Sequence, residues 1–248
     1  MKGLTLALLL VFSFAANAQV NFRMLVLAEH DKNHTPYVEA AKVWLDQLAK
    51  KEHFEVVYNE NPKLVTDEFL AGYSVIFQMN YPPYMWSDTA KAAFEKYIEQ
   101  GRGGWVGVHH ATLLGEFDGY SMWNWFSDFM GGIRFKDYIA GFASGRVKVE
   151  APKHPVMKGL PRRFTISKDE WYTYDKSPRR NVTVLASVDE STYKPETDKK
   201  MGDHPVVWTN AKMKAKNVYI FMGHDPILFQ HVNYTTLLQN ALLWASKK

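Results

Sequence analysis

The feature that most restricts the fold is an alternation in the first half of the chain, where continuous apolar runs take turns with amphipathic stretches. Arg23–Ala28 is apolar and of strand length, the pattern of a central strand buried on both faces. The polar loop Glu29–Thr35 follows, and Pro36 opens a helix at a position where its missing N–H is harmless. Tyr37, Ala41, Trp44, Leu45 and Leu48 then repeat at helical spacing. Phe54–Tyr58 predicts a second strand, Asn61-Pro62 a turn and Thr66–Leu70 a short helix. Tyr73–Met79 is a third strand and ends at Asn80-Tyr81-Pro82-Pro83. Ser87 caps a helix that gathers Ala90, Phe94, Tyr97 and Ile98 on one face and stops at Gly101. The fourth run, Trp105–Val108, ends in the adjacent pair His109 and His110.

Strand and helix in alternation predict an α/β fold, a mainly parallel sheet with helices on both faces. Right-handed crossovers put the carboxyl ends of the strands on one edge, which is where open sheets bind ligands. Glu29 with His30, Asn80 with Tyr81, and His109 with His110 are therefore expected to converge there. Successive strand residues point to opposite faces. Only one histidine of the pair faces the site if the strand continues; a turn would relax this.

The second half is less regular. Met122–Met130 reads as an aromatic helix closed by Gly131-Gly132, and Arg146–Val149 alternates like a half-exposed strand. Val182–Ala186, Pro205–Trp208 and Asn217–Met222 predict further strands, with Ser187–Asp203 as an exposed loop or hairpin. The last strand again ends in polar residues, Gly223-His224-Asp225-Pro226, ahead of a helix carrying Leu237, Leu238, Leu242 and Ala245. No repeat or long linker divides the chain, so residues 19–248 are expected to form one domain. Ahead of it, Lys2, the uncharged run Leu4–Ala16 and Ala16-Asn17-Ala18 form a signal peptide, residues 1–18, cleaved after Ala18. The run is too short to span a membrane. A periplasmic or secreted protein, free of the membrane after cleavage, is the expectation.

The formal charge of +4 comes without a long basic run, too diffuse to argue for nucleic acid. There is no cysteine, which removes disulfides and thiol catalysis. Imidazole and carboxylate chemistry remains. Histidine exchanges protons near neutral pH and is a common zinc ligand. One version of the site holds a divalent metal such as zinc on His30, His109 and His110, which would polarise a substrate hydroxyl or carbonyl. The other uses no metal: a histidine removes a proton, and Glu170 or Asp225 returns it. Aromatic surroundings suit Glu170 to general-acid work, although a salt bridge to Arg162 or Arg163 is equally consistent. Asp225 before Pro226 is also a good helix cap. His34 and His154 read as loop and turn residues. Trp123, Trp125, Tyr172 and Tyr174 are candidates to stack on a sugar ring, with core packing the alternative for the two tryptophans.

Gly107-Val108-His109-His110-Ala111, Gly131-Gly132 with Phe135, His154-Pro155-Val156 with Gly159-Leu160, and Asp169-Glu170 with Tyr172 appear in order. Pro205-Val206 with Trp208, Gly223-His224 and Asn240-Ala241 with Trp244-Ala245 follow. Together they resemble the trehalose-utilisation (ThuA-like) family over essentially the whole mature chain. The resemblance implies a flavodoxin-like sheet of the class I glutamine amidotransferase type. In that superfamily a nucleophilic cysteine occupies the sharp turn after a strand; here the elbow holds His109, so a glutaminase thioester is excluded. The elbow position favours His109 over His110, with Glu170 and His224 as its catalytic partners. Glu29, Asn80, Tyr81, Tyr172 and Asp225 are the expected substrate contacts. The family's association with sugar catabolism implies a small-molecule carbohydrate, a sugar, keto-sugar or glycoside, processed by a hydrolase, lyase or isomerase. The rival reading is a non-catalytic carbohydrate-binding protein on the same fold.

Overall fold

The computed structural model describes residues 20–59 and 61–247; the expected signal peptide, residues 1–18, lies outside the described residues. Strands β1 (Arg23–Ala28), β2 (Glu55–Asn59), β3 (Val75–Met79) and β4 (Gly104–Val108) alternate with helices α1 (Thr35–Glu52), α2 (Asp67–Leu70) and α3 (Asp88–Glu99). After helix α4 (Asn124–Phe129) come β5 (Phe135–Tyr138), β6 (Ala143–Val149), β7 (Arg163–Asp169), β8 (Tyr172–Tyr174), β9 (Thr183–Lys194), β10 (Pro205–Thr209) and β11 (Asn217–Ile220). Helix α5 (Val232–Ala245) follows.

Nine strands form one sheet in the order β2-β1-β3-β4-β11-β10-β9-β6-β7, and β5 pairs with β8 in a small second sheet. From β2 to β11 neighbouring strands are parallel. From β11 to β7 they are antiparallel. The parallel half has the flavodoxin-like order, with β11 as its fifth strand. β1, β3, β4 and β11 are almost wholly buried, as strands covered by helices on both faces must be.

Both faces can be read at β4. Trp105 points to one side and packs against Phe94 of α3 and Phe126 and Phe129 of α4. On the other side a methyl group at Gly104 would collide with the Ala245 carbonyl of α5, so only glycine lets that helix sit so close. The Tyr37 hydroxyl of α1 meets the Tyr234 hydroxyl of α5 at 2.5 Å on this same side. The caps form as the sequence predicts: the Ser87 hydroxyl accepts from the Ala90 N–H, and Gly101 adopts φ +68 beyond α3.

The second half departs from the sequence expectation in three places. The aromatic helix is shorter, because Trp123 takes an extended backbone ahead of Asn124. β5, β7 and β8 are not among the strands the sequence predicts; β7 is an edge strand with exposed residues between inward-facing Phe164, Ile166 and Asp169. Ser187–Asp203 is not all loop, since β9 runs on to Lys194. Its polar residues fit a strand because the inward-facing carboxylate Glu190 finds hydrogen-bond partners inside the fold. Glu190 accepts from the Met201 and Gly202 N–H groups and lies 3.0 Å from His204 Nδ1. Among the described residues no helix is long and apolar enough to cross a membrane.

Candidate functional site

Four imidazoles and two carboxylates meet at the carboxyl edge of the parallel strands. Glu29 follows β1, His109 and His110 follow β4, and His224 follows β11. His34 stands at the start of α1 and Glu170 between β7 and β8. The question of which adjacent histidine faces the site is settled by the backbone. The strand ends at Val108, His109 takes φ +47, and residues His109–Thr112 form a 3-10 turn. Strand alternation therefore no longer applies, and the two rings stack with centroids 4.8 Å apart and planes 10° apart. The elbow is held by the Tyr219 hydroxyl, which donates to the His109 carbonyl at 2.9 Å. Gly223 packs so closely that a Cβ there would stand 3.0 Å from the Cβ of His109.

Two groups share this cluster. In the first, Glu29 Oε2 lies 2.7 Å from His110 Nδ1 and 3.1 Å from His34 Nδ1, which also reaches Asp31 Oδ1 at 2.9 Å. In the second, His109 Nε2 lies 3.1 Å from His224 Nδ1, and Glu170 Oε2 is 3.5 Å from each of these nitrogens. The Tyr172 hydroxyl is 2.8 Å from the same His109 Nε2. The His109 side chain is fully buried, whereas those of His110, His224, Glu29 and Glu170 keep 16, 12, 14 and 17% exposure. The latter four are the members that solvent reaches.

Burial alone would raise the Glu29 carboxyl, but its bonds to His110 and His34 outweigh this and hold it at about 2. Burial opposes charge on His34 as well, yet Glu29 and Asp31 raise it overall. His110 is lowered by burial, which its bond to Glu29 only partly offsets. His109 is lowered much further, by burial and then by the three neighbouring imidazoles. At neutral pH, Glu29 is thus an anion, and His110 is a neutral Nδ1–H donor to it with a lone pair on Nε2.

This has a consequence for acid stability. A carboxyl depressed from 4.5 to about 2 contributes stability above its unfolded value and loses it as pH falls from about 4.5 toward 2. At ~1.4 kcal/mol per unit the contribution is about 3 kcal/mol. Urea denaturation at pH 5 and pH 3 should show the Glu29→Gln variant losing less stability than the wild type across that interval, by about 2 kcal/mol, the part of the contribution that titrates between those two values.

Asp169 is the member that the sequence reading missed. It is fully buried, and its carboxylate accepts the N–H groups of Gly223, His224 and Asp225 at 3.0, 3.1 and 3.3 Å. Burial pushes it up to about 7 against the pull of those donors. Adjacent to Glu170 in sequence and bonded to the His224 loop, it ties the two together. The available signal was an acidic residue at the end of a strand whose outward neighbours are polar, which marks a carboxylate with buried partners.

The other expected residues fall into two classes. Asn80 takes φ +62 at the end of β3, and its amide donates to the Gly223 carbonyl at 2.9 Å, so it links β3 to the His224 loop. The ionic partners of Glu170 among the described residues are His109 and His224, not Arg162 or Arg163. His34, read as a loop residue, is in the cluster, with its ring centroid 4.0 Å from that of His110. His30, expected among metal ligands, is not. It is exposed and shares a shallow recess with Lys42, Tyr58 and Asn59, because the chain turns outward after Glu29. Asp225 caps the turn Pro226–Gln230 by accepting from the Ile227 N–H at 2.9 Å and pairs with Lys168 at 2.7 Å. The Tyr81 hydroxyl donates to the Met85 carbonyl at 3.3 Å. The Tyr174 hydroxyl is buried beside Thr112 and Tyr219. Trp123 and Trp125 stack on each other, and their indole N–H groups donate to Glu95 and Glu99, so both serve packing.

The cluster has the grouping a divalent metal needs. Donor atoms of His34, His109 and His224 lie within 4.8 Å of one another, as do those of Glu29, His34 and His110, and of His109, His110 and Glu170.

Comparison with known proteins accounts for the shared features. A ThuA-like protein of Bacteroides uniformis superposes with a TM-score of 0.81 at 29% identity, covering 95% of each chain. A ThuA-like protein of Parabacteroides merdae gives 0.68 at 19% identity, covering 91% of this chain and 90% of its own. The glutaminase domain of Trypanosoma brucei CTPS with bound acivicin gives 0.51 at 10% identity, over 90% of this chain and 94% of that one. At that identity the likeness is one of fold. No curated protein sequence matches significantly. The family model described as "Trehalose utilisation" (ThuA) matches residues 23–245, and the chain belongs to that family.

Proposed function

We propose that this chain is an exported enzyme of carbohydrate catabolism that moves a proton on a sugar, keto-sugar or glycoside, with His110 as the proton carrier. The observation that carries this reading is the Glu29–His110 pair, 2.7 Å apart and partly exposed at the ligand-binding edge. Glu29 fixes the ring and its tautomer through Nδ1. It also stabilises the imidazolium that forms when Nε2 takes a proton, the division of labour seen wherever a carboxylate backs a catalytic histidine. Glu170 and His224, both partly exposed, complete a polar surface that suits a polyhydroxylated ligand, with His109 buried behind them. Membership of the trehalose-utilisation family supports the carbohydrate, and the N-terminal Leu4–Ala18 pattern supports export.

Incubation of the purified protein with a panel of disaccharides, aryl glycosides and their keto forms, followed by proton NMR, tests the reading. Turnover of at least one member is expected. Saturable binding without any change in the sugars would overturn the enzyme and leave a carbohydrate-binding protein.

A further inference from the structure

The second group at the site, His109, His224 and Glu170, takes no part in the Glu29–His110 pair and has a geometry of its own. Its three donor atoms form a triangle with edges of 3.1, 3.5 and 3.5 Å. Tetrahedral coordination sets the distance between two ligand atoms at 1.63 times the metal–ligand bond. With zinc bonds of roughly 2.0–2.2 Å, the edges should be about 3.3–3.6 Å. Two of the three edges fall in that range and the third is about 0.2 Å short of it, and each of the three atoms carries a lone pair that a shared cation would accept.

We infer that His109 Nε2, His224 Nδ1 and Glu170 Oε2 form the three-ligand face of a zinc-type divalent metal site. The inference rests on the reading of this edge as the reacting site and adds a cofactor to it.

Two further observations support the inference. First, the ligands are held from behind. The Asp169 carboxylate binds the backbone of His224 and immediately precedes Glu170, so one buried group positions two of the three ligands. The elbow fixes the backbone of the third, His109, through the Tyr219 hydroxyl. Second, a donor atom of His34 lies within 4.8 Å of those of His109 and His224, and His34 Nε2 is buried without a hydrogen-bond partner. A buried polar atom of that kind calls for a partner that protein atoms do not supply. A fourth, oxygen ligand on the metal, water or sugar, would be one. The Tyr172 hydroxyl, now 2.8 Å from His109 Nε2, has Glu170 as its alternative acceptor when that lone pair is taken. Three protein ligands with one open position is the catalytic arrangement of zinc, and the ion would polarise a sugar oxygen.

The chelated full-length mature protein is titrated with Co2+, followed by its visible d–d absorption, and with Zn2+, followed by elemental analysis. One equivalent of each is expected. Intense bands of a four-coordinate cobalt site should appear, with at least a ten-fold loss of Co2+ affinity in both His224→Ala and Glu170→Gln. Because a variant can fail to fold, the wild-type urea midpoint is also measured with and without Zn2+, and a rise is expected. Uptake below one equivalent with no midpoint shift overturns the site, as does uptake that both variants leave unchanged. The functional reading fails separately: chelated protein that still turns over the sugar removes the metal alone, whereas loaded protein inert toward every sugar removes the enzyme alone.

Discussion

Replacing Asp169 with alanine should destabilise the protein by about 2–4 kcal/mol and disable the site in the molecules that stay folded. The variant leaves three backbone N–H groups, those of Gly223, His224 and Asp225, without their acceptor in a fully buried position. Each unsatisfied donor costs roughly 1–3 kcal/mol, and relief of the buried carboxyl offsets part of the sum. The loop after β11 then loses its tie to the β7 end, and His224 and Glu170 move independently. Equilibrium urea unfolding measures the first effect. Turnover at a temperature well below the variant's melting point measures the second. A variant as stable and as active as the wild type would show that the loop is held by other contacts, of which the Asn80 amide on the Gly223 carbonyl is the nearest.

His110→Asn should lower kcat by a factor of about 10²–10⁴, the usual contribution of a positioned proton carrier, with little loss of stability. Asparagine can still donate to Glu29, and Glu29 keeps His34 at 3.1 Å. The carboxylate is therefore not abandoned in a buried place, the circumstance that makes removing half of a buried pair so damaging. Proton-transfer chemistry disappears because the amide cannot accept a proton at working pH. Steady-state kinetics on the substrate found with the sugar panel, together with a melting curve, check both parts. Unchanged kcat would move the role to another member of the cluster, with His224 the partly exposed candidate.

Much of the fold could be read from the chain because the parallel half obeys simple rules. Continuous apolar runs such as Arg23–Ala28 and Val75–Met79 can only be strands covered on both sides. Caps at Ser87 and Gly101 fix where one helix lies. The convergence of Glu29, His109, His110 and His224 follows from topology once those strands are parallel. The antiparallel half was harder, since β9 carries polar residues whose inward member, Glu190, is paired with a histidine 14 positions away. The misjudged residues were those decided by tertiary contacts. His34 is polar and lies in a loop, and nothing local distinguishes it from His30; only the docking of α1 brings one to the cluster and leaves the other exposed. Asp169 acts through backbone groups 54 to 56 residues away, a relation that carries no local pattern. The stacked pair His109 and His110 escaped the alternation rule because the strand stops one residue before them.

The place of β11 between β4 and β10 also bears on how the molecule assembles. It is the last strand in chain order, yet it occupies the middle of the sheet and is the strand through which the ladder passes from the parallel to the antiparallel half. During synthesis both halves must wait with an open edge until residues 217–220 arrive, a state exposed to mispairing and slow to resolve because the contacts are distant in sequence. His224 follows four residues later. Closure of the sheet and completion of the site are thus nearly one event, and a chain stopped short of β11 would be two unjoined sheets without a working centre.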